Sequence, residues 1–241
     1  MKSTTTSIFI SSAKPCPYLA GVKSNILYHV GGVNRGGYAG MLERGYRRFG
    51  RLFFRPACET CNECKSLRVK TAEFNWTRSF RRVAKINADI KTVVRRPTVS
   101  DERLAMFERF HQNRTDIRGW EYEPNGEQTY YEAFVDYAKD FGYELTYYLN
   151  DRLIGVALTD VLPEGHSAVY CYYDPDFSSR SIGTFSILKQ IEIAASCNVP
   201  YLYLGYVVAM NRSLNYKVRF KPYEILRGAP GSDEPAFWET G

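Results

Sequence analysis

The chain has 241 residues, 44% of them hydrophobic and 15% aromatic, which is enough for one large domain or two small ones. No apolar run approaches the roughly 20 residues that a membrane-spanning helix requires. Pro200 and Gly205 interrupt the most apolar stretch, residues 199–210. The composition therefore excludes a membrane-spanning chain and predicts a globular protein.

Positive and negative charges are unevenly distributed. The net charge is +6, yet residues 1–120 hold 23 Lys or Arg against 9 Asp or Glu, a net of +14, and the remainder holds 9 against 17, a net of −8. Most cations of the first part are arginines, which form forked and stacked contacts that lysine does not form. Because phosphate neutralisation dominates nucleic-acid affinity, this part either binds a polyanion or has a solvated basic surface.

Residues 1 to about 40 predict loop-rich structure, and short elements are expected from there to residue 70. A strand is expected at residues 25–30, followed by turns at Gly31-Gly32 and Gly36-Gly37. Residues 42–56 predict a helix end, a turn and a strand, and residues 67–70 predict another strand.

Four cysteines form a candidate metal site. Cys58, Cys61 and Cys64 follow a C-x-x-C-x-x-C spacing, and Cys16 lies upstream. Such spacing can aim thiolates at one point, as tetrahedral zinc and iron–sulfur clusters require, but it does not choose between them. The N-terminus has no apolar signal core, which favours a reducing cytosol over disulfides. The alternative is that these thiols are simply packed as small hydrophobic groups.

Residues 78–96 are strongly basic. Four cations share one face if the segment is helical, and these are Arg78, Arg81, Arg82 and Lys85. Like charges crowded on one helix face disfavour an isolated helix, so a bound anion is one explanation and a solvated face is the other.

Regular elements dominate after residue 100. Helices are predicted from Ser100 through His111 and over residues 130–141, with a polar break at residues 119–126 between them. Residues 143–149, 153–160 and 168–173 predict an antiparallel meander with Asn150-Asp151 as a hairpin turn. A helix over residues 178–196 and a buried strand over residues 201–206 follow.

This order of strands, helix and strand is typical of the acetyltransferase superfamily. We therefore predict an α+β fold, with an acetyltransferase-like (GNAT-type) mixed-sheet domain at residues 101–241 and a smaller cysteine-containing N-terminal domain at residues 1–100. In that superfamily a small residue ends the loop that cradles a cofactor pyrophosphate. Here the pattern reads Arg180-x-x-Gly183-Thr184-Phe185, and the bulky Phe185 disfavours an acyl-CoA donor without disfavouring the fold.

Other candidate residues each have two interpretations. Asp174, which follows Tyr172 and Tyr173 at the end of a predicted strand, could orient an attacking amine or could simply form an Asp-Pro turn. Tyr216 and Lys217 follow the last buried strand, where they could hold an anionic substrate or belong to a charged surface. The three histidines lie apart from any nucleophile motif, so a covalent triad enzyme is not predicted.

Several phrases in chain order carry a resemblance to a known family. They are Cys16-Pro17-Tyr18-Leu19, residues 44–50, residues 55–64 with the three spaced cysteines, residues 81–89, residues 172–176, residues 180–186 and residues 203–206. Together they resemble the bacterial branch of the arginyl-tRNA–protein transferase family, the aspartate/glutamate leucyltransferases. The segment at residues 211–216 departs from the expected pattern, because Ser213-Leu214 stands where Lys-Met is expected.

The resemblance implies an enzyme that moves leucine, or alternatively arginine, from its tRNA to the amino group of proteins beginning with Asp or Glu, which marks them for degradation. It implies two partners, the aminoacyl-tRNA and the acceptor protein, a cytoplasmic location, no membrane and no cofactor required for catalysis. Two rivals stay open. One is an acyl-CoA-dependent N-acetyltransferase, and the other is a non-enzymatic, metal-containing RNA-binding protein.

The implied reaction assigns roles to the candidate residues. The expected catalytic residues are Asp174 and Tyr172. The expected pocket for the substrate carboxylate contains Arg47, Arg48, Arg180, Tyr216 and Lys217. The expected tRNA contacts are Arg78, Arg81, Arg82 and Lys85. By position in the family, Cys16, Cys58, Cys61 and Cys64 would be the ligands of an iron–sulfur cluster or zinc.

Overall fold

The computed structural model describes residues 7–119, 124 and 126–241. The strands are β1 (Ser7–Ile10), β2 (Lys14–Pro15), β3 (Lys23–Ser24), β4 (Ile26–Val30), β5 (Arg47–Phe49), β6 (Leu52–Pro56), β7 (Lys65–Lys70), β8 (Lys91–Arg95), β9 (Gly142–Leu149), β10 (Arg152–Leu162), β11 (Gly165–Tyr173), β12 (Tyr201–Val207), β13 (Tyr223–Leu226) and β14 (Trp238–Thr240). The α-helices are α1 (Arg35–Glu43), α2 (Arg78–Ile86), α3 (Asp101–Arg118), α4 (Glu127–Phe134), α5 (Ile182–Ser196) and α6 (Arg212–Asn215), and three 3-10 helices span Asp136–Ala138, Pro175–Arg180 and Tyr216–Arg219.

An eight-stranded mixed sheet organises the chain. Its strand order is β14-β13-β7-β12-β11-β10-β9-β8. The predicted meander is confirmed as β9, β10 and β11, and the hairpin turn between the first two has positive φ at Asn150 and Asp151. The α+β prediction is therefore confirmed.

One parallel pair interrupts the antiparallel order. β11 and β12 are joined by the crossover helix α5, and their register pairs His166 with Leu202 and Ser167 with Tyr203. Beyond these positions the two strands continue without pairing to each other. We call the opening between residues 168–173 of β11 and residues 204–207 of β12 the strand fork.

Side chains alternate between the two faces of the sheet along each strand, so both faces can carry apolar residues. Helices cover both faces. On one face α3 and α4 pack against β10 and β11, where Phe107, Val156 and Tyr172 belong to one buried cluster. On the other face α5 inserts Phe185 among Ile154 and other inward residues. This double cover fixes the strands that border the fork.

The N-terminal part forms its own four-stranded sheet, in the order β1-β4-β6-β5. It meets the large sheet through a cluster in which Tyr38 and Phe53 pack with Leu162 and Tyr203. β7 and β8 also precede residue 100, yet both belong to the large sheet. Both predicted domains therefore contribute strands to it.

Two predicted helices differ in their bounds. The helix expected over residues 130–141 is α4, which ends at Phe134 and is followed by a 3-10 turn before β9 begins at Gly142. A side chain at Gly142 would collide with Ala138, since an added Cβ would lie 2.3 Å from the Ala138 Cβ. The helix expected over residues 178–196 begins as a 3-10 turn, and α5 starts at Ile182.

The predicted break at residues 119–126 lies largely outside the described residues. Within the described ranges, no helix has the length and apolar character to cross a membrane.

Candidate functional site: the strand fork

Arg47 occupies the point where β11 and β12 separate. Its Nη1 donates to the Ser167 hydroxyl at 2.9 Å and to the Tyr203 carbonyl at 3.5 Å, and its Nη2 donates to the Ala168 carbonyl. Gly205 permits this approach, because its φ is +76° and an added Cβ would lie 3.0 Å from the Arg47 Nε. The partners of Arg47 are therefore neutral groups on both branches of the fork.

Lys217 brings a second cation to the same place. It lies in the last 3-10 helix, is buried, and donates from Nζ to the Tyr206 carbonyl of β12. The pKa of Lys217 is lowered to about 7, mainly by burial and in part by the positive charge of Arg47, while the Cys64 thiol acts in the opposite direction. Across the described ranges, no carboxylate pairs with either cation.

Tyr216 lies near Val207 at the end of β12, one branch of the fork. Its side chain is partly exposed, and burial raises the pKa of its phenol to about 12, with a second contribution from Cys171 on β11. Its hydroxyl therefore lies within electrostatic reach of the opposite branch of the fork. The structure thus brings together three of the predicted substrate residues, which are Arg47, Tyr216 and Lys217.

Arg48 lies elsewhere, although it is the next residue in the chain. Its Nε and Nη2 donate to the two carboxylate oxygens of Asp160 at 2.8 Å each, and the Tyr38 hydroxyl donates to the same carboxylate at 2.7 Å. Both charged side chains are almost fully buried. Arg48 is therefore engaged by an internal carboxylate in the described structure, away from the cations of the fork.

Arg180 is also engaged by an internal carboxylate. It pairs with Asp89 at 2.8 and 3.0 Å and donates to the Ile86 carbonyl, so it fastens the start of α5 to the end of α2. This pairing lowers the pKa of Asp89. Arg180 does not join Arg47 and Lys217 in the group described at the fork.

Phe185 points inward against Tyr147, so its ring does not obstruct the helix start as the sequence suggested.

The two residues predicted to be catalytic, Asp174 and Tyr172, are buried. The Asp174 carboxylate accepts from Arg109, from Arg152 and from the Asp176 backbone amide. The Tyr172 hydroxyl shares a 2.7 Å hydrogen bond with the Tyr130 hydroxyl in the sheet core. Burial and the Tyr130 phenol raise the pKa of Tyr172 above its ordinary value, which disfavours proton transfer. Both side chains are engaged by internal partners in the described structure, and their catalytic roles stay predictions.

The predicted tRNA contacts form one exposed surface on α2. The helix is held by Thr77 at its N-cap and by buried Phe80, which stacks on Phe220. The opposite face, which we call the basic face of α2, presents four exposed cations, and these are Arg78, Arg81, Arg82 and Lys85. Within the described ranges none of them forms an ion pair, so their charge is available to an external anion.

The four predicted metal ligands lie near one another but do not form a ligand set. The pKa of Cys64 is raised to about 12, mainly by burial and in part by Cys16, Cys58 and Cys61. The Cys58 thiol is directed to the Asn25 carbonyl, and Cys16 accepts from the Tyr18 amide. Among the described residues, no group of three or more His, Cys, Asp or Glu has the arrangement a metal ion requires. The predicted zinc or iron–sulfur site does not fit these positions.

Some residues of the fork have no clear signal in the sequence. Ser167 and Ala168 belong to an ordinary strand pattern, and the sequence does not reveal that their polar groups receive Arg47. Tyr18 lies in the Cys16 phrase, and its carbonyl accepts from Asn211 beside the fork. These contacts depend on tertiary proximity rather than on spacing along the chain.

Comparison with known proteins gives a consistent result. A family model described as Arginine-tRNA-protein transferase, N terminus, matches residues 14–82, and the corresponding C-terminal model matches residues 102–227. An aspartate/glutamate leucyltransferase of Campylobacter jejuni subsp. jejuni serotype O:23/36 (strain 81-176) is 41% identical over 221 residues, which is 91% of this chain and 92% of that protein. A protein of the same name from Helicobacter hepaticus is 38% identical over 232 residues, 96% of each chain.

Similarity to solved structures is weaker. FemX aligns with 83% of this chain and 79% of its own, with a TM-score of 0.44 and 9% identity, which is too distant to support an argument. The sequence matches are decisive, since they extend over both parts of the chain and confirm the resemblance of its motifs. This chain belongs to the arginine-tRNA-protein transferase family.

Proposed function

We propose that this chain is an aminoacyl-tRNA–protein transferase that moves leucine from leucyl-tRNA to the amino group of proteins beginning with Asp or Glu. Its named relatives are aspartate/glutamate leucyltransferases, which supports both the donor and the acceptor. The reaction belongs in the cytoplasm, where it would mark acceptor proteins for degradation. Arginyl-tRNA is the alternative donor.

The observation that carries this proposal is the cation pair at the strand fork. Arg47 is close enough to Lys217 for its positive charge to lower the pKa of the Lys217 amine. A partly buried pair of like charges is unfavourable unless an anion neutralises it. The side-chain carboxylate of an N-terminal Asp or Glu would supply that charge and stabilise the charged form of Lys217. An acceptor beginning with Ala or Lys would not.

The reaction requires little general acid or base catalysis. The acceptor nitrogen attacks the ester carbonyl carbon, a carbon–nitrogen bond forms, and the bond from that carbon to the tRNA 3′ oxygen breaks. The nitrogen loses a proton and the leaving oxygen gains one. An α-amine has a pKa of about 8, so roughly a tenth is neutral near pH 7. Positioning of the amine against an already activated ester then provides most of the acceleration.

The basic face of α2 is the proposed contact for the body of the tRNA. Four exposed cations on one helix provide phosphate contacts without sequence readout. α2 is joined to the rest of the chain through Phe80 and through Arg180, which donates to its last carbonyl. A tRNA held on this face would therefore have a fixed position relative to the sheet and its fork.

The GNAT-type assignment is retained as part of the proposal. The crossover helix α5 between two diverging parallel strands supports it. An acyl-CoA donor is not favoured by the site, because Arg180 at the start of α5 is already paired with Asp89.

A donor and acceptor matrix tests the function. The full chain is incubated with leucyl-tRNA or arginyl-tRNA and with peptides that begin with Asp, Glu, Ala or Lys but are otherwise identical. Mass spectrometry is expected to show addition of one leucine to the Asp and Glu peptides alone. If both donors leave the Asp and Glu peptides unchanged, the transferase proposal is wrong. Acetyl-CoA serves as a third donor that tests the rival.

A further inference from the structure

A cavity of about 670 Å³ lies beside the strand fork, where β7 begins and β12 ends. Val207, Val218 and Ile225 provide apolar surface, while Tyr216 and Tyr223 add aromatic rings. A space of this size with an apolar interior and a few polar groups is typical of small-molecule and nucleotide sites. The proposed acceptor pocket does not account for it.

The rim of the cavity is net positive. Lys65 and Arg219 contribute two cations and Glu63 contributes one acid, so the balance is +1. Over the described residues neither cation forms an ion pair. The Arg219 guanidinium lies 5.8 Å from the ring of Phe80 on α2. Arg219 therefore lies next to α2, the helix that also carries the basic face.

The cavity and the fork share one wall. Tyr216 lines the cavity, while its phenol lies within electrostatic reach of Cys171 on the far branch of the fork. The next residue, Lys217, binds the Tyr206 carbonyl inside the fork. A ligand seated against Tyr216 therefore lies beside the segment that carries Lys217.

We infer that this cavity binds the 3′-terminal adenosine of the charged tRNA, with the base against Tyr216 and the adjoining phosphate near Lys65 and Arg219. The inference rests on the proposed function and specifies where its donor is held. Aromatic rings suit the face of a base, and cations suit the backbone phosphate. The esterified ribose would then lie between the cavity and the fork. A leucyl side chain alone would leave both rim cations without a counterion.

Adenosine 5′-monophosphate is the probe that tests the site. It is expected to inhibit leucyl transfer competitively against leucyl-tRNA and non-competitively against an Asp-headed peptide. Tyr216→Leu is expected to raise its inhibition constant about 10-fold because base stacking is lost, whereas Tyr216→Phe keeps the ring and the affinity. Lys65→Gln is expected to weaken inhibition, and Lys70→Gln at the opposite end of β7 is the matched control.

Val218→Trp provides an independent variant, since it fills the cavity without changing its charge. Loss of nucleotide competition in that variant, with peptide KM unchanged, supports the assignment. If the nucleotide competes with the peptide instead of the tRNA, the assignment is wrong. It is also wrong if Tyr216→Leu and Tyr216→Phe change the inhibition constant equally. If the unmodified chain transfers nothing, the proposed function fails separately. Calorimetry with the same nucleotide then still decides whether the cavity binds it.

Discussion

Arg47 and Lys217 meet at the strand fork, and the positive charge of Arg47 lowers the pKa of Lys217. Arg47 reaches the fork from the small N-terminal sheet, and Lys217 reaches it from the segment after β12. Across the described residues, their hydrogen-bond partners are neutral oxygens rather than carboxylates. Two parts of the chain therefore create a positive site that neither part holds alone.

Lys217→Met is expected to stabilise the protein while impairing transfer. The buried amine of Lys217 has no carboxylate partner in the described structure, so an apolar side chain of similar length removes a desolvation cost. We expect the free energy of unfolding to rise by about 1 kcal/mol and kcat/KM for an Asp-headed peptide to fall at least 10-fold. Urea denaturation and steady-state kinetics measure the two effects. A less stable but fully active variant would contradict this assignment.

Arg47→Gln is expected to reduce discrimination between acceptors. Loss of the guanidinium charge weakens binding of an N-terminal carboxylate side chain by about 2 kcal/mol, equivalent to about 30-fold in kcat/KM. A peptide beginning with Ala should show no comparable change. The affinity of the chain for leucyl-tRNA, measured by filter binding, serves as the control. If tRNA affinity and peptide use fall together, Arg47 acts on the RNA instead.

Arg48→Gln should affect folding rather than acceptor choice. It leaves the Asp160 carboxylate buried without its bidentate partner, which typically lowers the free energy of unfolding by about 3 to 5 kcal/mol. The double variant Arg48→Met with Asp160→Leu should recover most of this loss, because no buried charge remains. Acceptor preference of the folded fraction should match the unmodified chain. A change in the Asp-to-Ala preference would return Arg48 to the pocket.

Adjacent residues show how far the sequence could predict this site. Alternation along β5 places Arg47 and Arg48 on opposite faces, but the sequence could not show that Asp160 lies across from Arg48 and strand carbonyls across from Arg47. The meander and β12 were predictable because their alternating or continuous apolar runs have strand length.

The helix α1 was not predictable from its glycines. Gly36 and Gly37 read as a turn, yet the segment is helical because the Asn34 side chain accepts from the Gly37 amide at 2.8 Å and Tyr38 is buried on the inner face. The internal partners of Asp174 and Tyr172 were not predictable for a related reason. Their chemistry was visible in the sequence, but the partners that occupy them, Arg109 among others, lie far away along the chain.

The basic face of α2 should determine the salt dependence of tRNA binding. Replacing Arg81 and Arg82 with Gln removes two phosphate contacts, so the slope of log affinity against log salt should fall in magnitude by about 1.4 to 1.8. A double variant of Lys91 and Lys189 removes the same charge from other surfaces and should leave the slope unchanged. Fluorescence anisotropy of tRNA binding, recorded from low to moderate salt, measures this slope. Equal slopes in the two variants would mean that the tRNA lies elsewhere.

His166 should make the fold sensitive to mild acid. Its side chain is buried, its Nε2 has no hydrogen-bond partner among the described residues, and burial lowers its pKa to about 4. Above pH 6.5 the imidazole is neutral in both the folded and unfolded states. Between pH 6.5 and 4 the unfolded state takes up a proton that the folded state excludes, so the free energy of unfolding decreases as the pH falls.

The predicted loss from His166 is about 2 kcal/mol between pH 7.5 and pH 5, since each pH unit below 6.5 contributes about 1.4 kcal/mol. His166→Leu has no titratable group at this position and should lack that contribution, although other groups still titrate in both proteins. The difference between the two proteins, measured by urea denaturation at each pH, isolates the histidine. A difference independent of pH would show that the folded state accommodates the charged ring, and would contradict its burial as a neutral group.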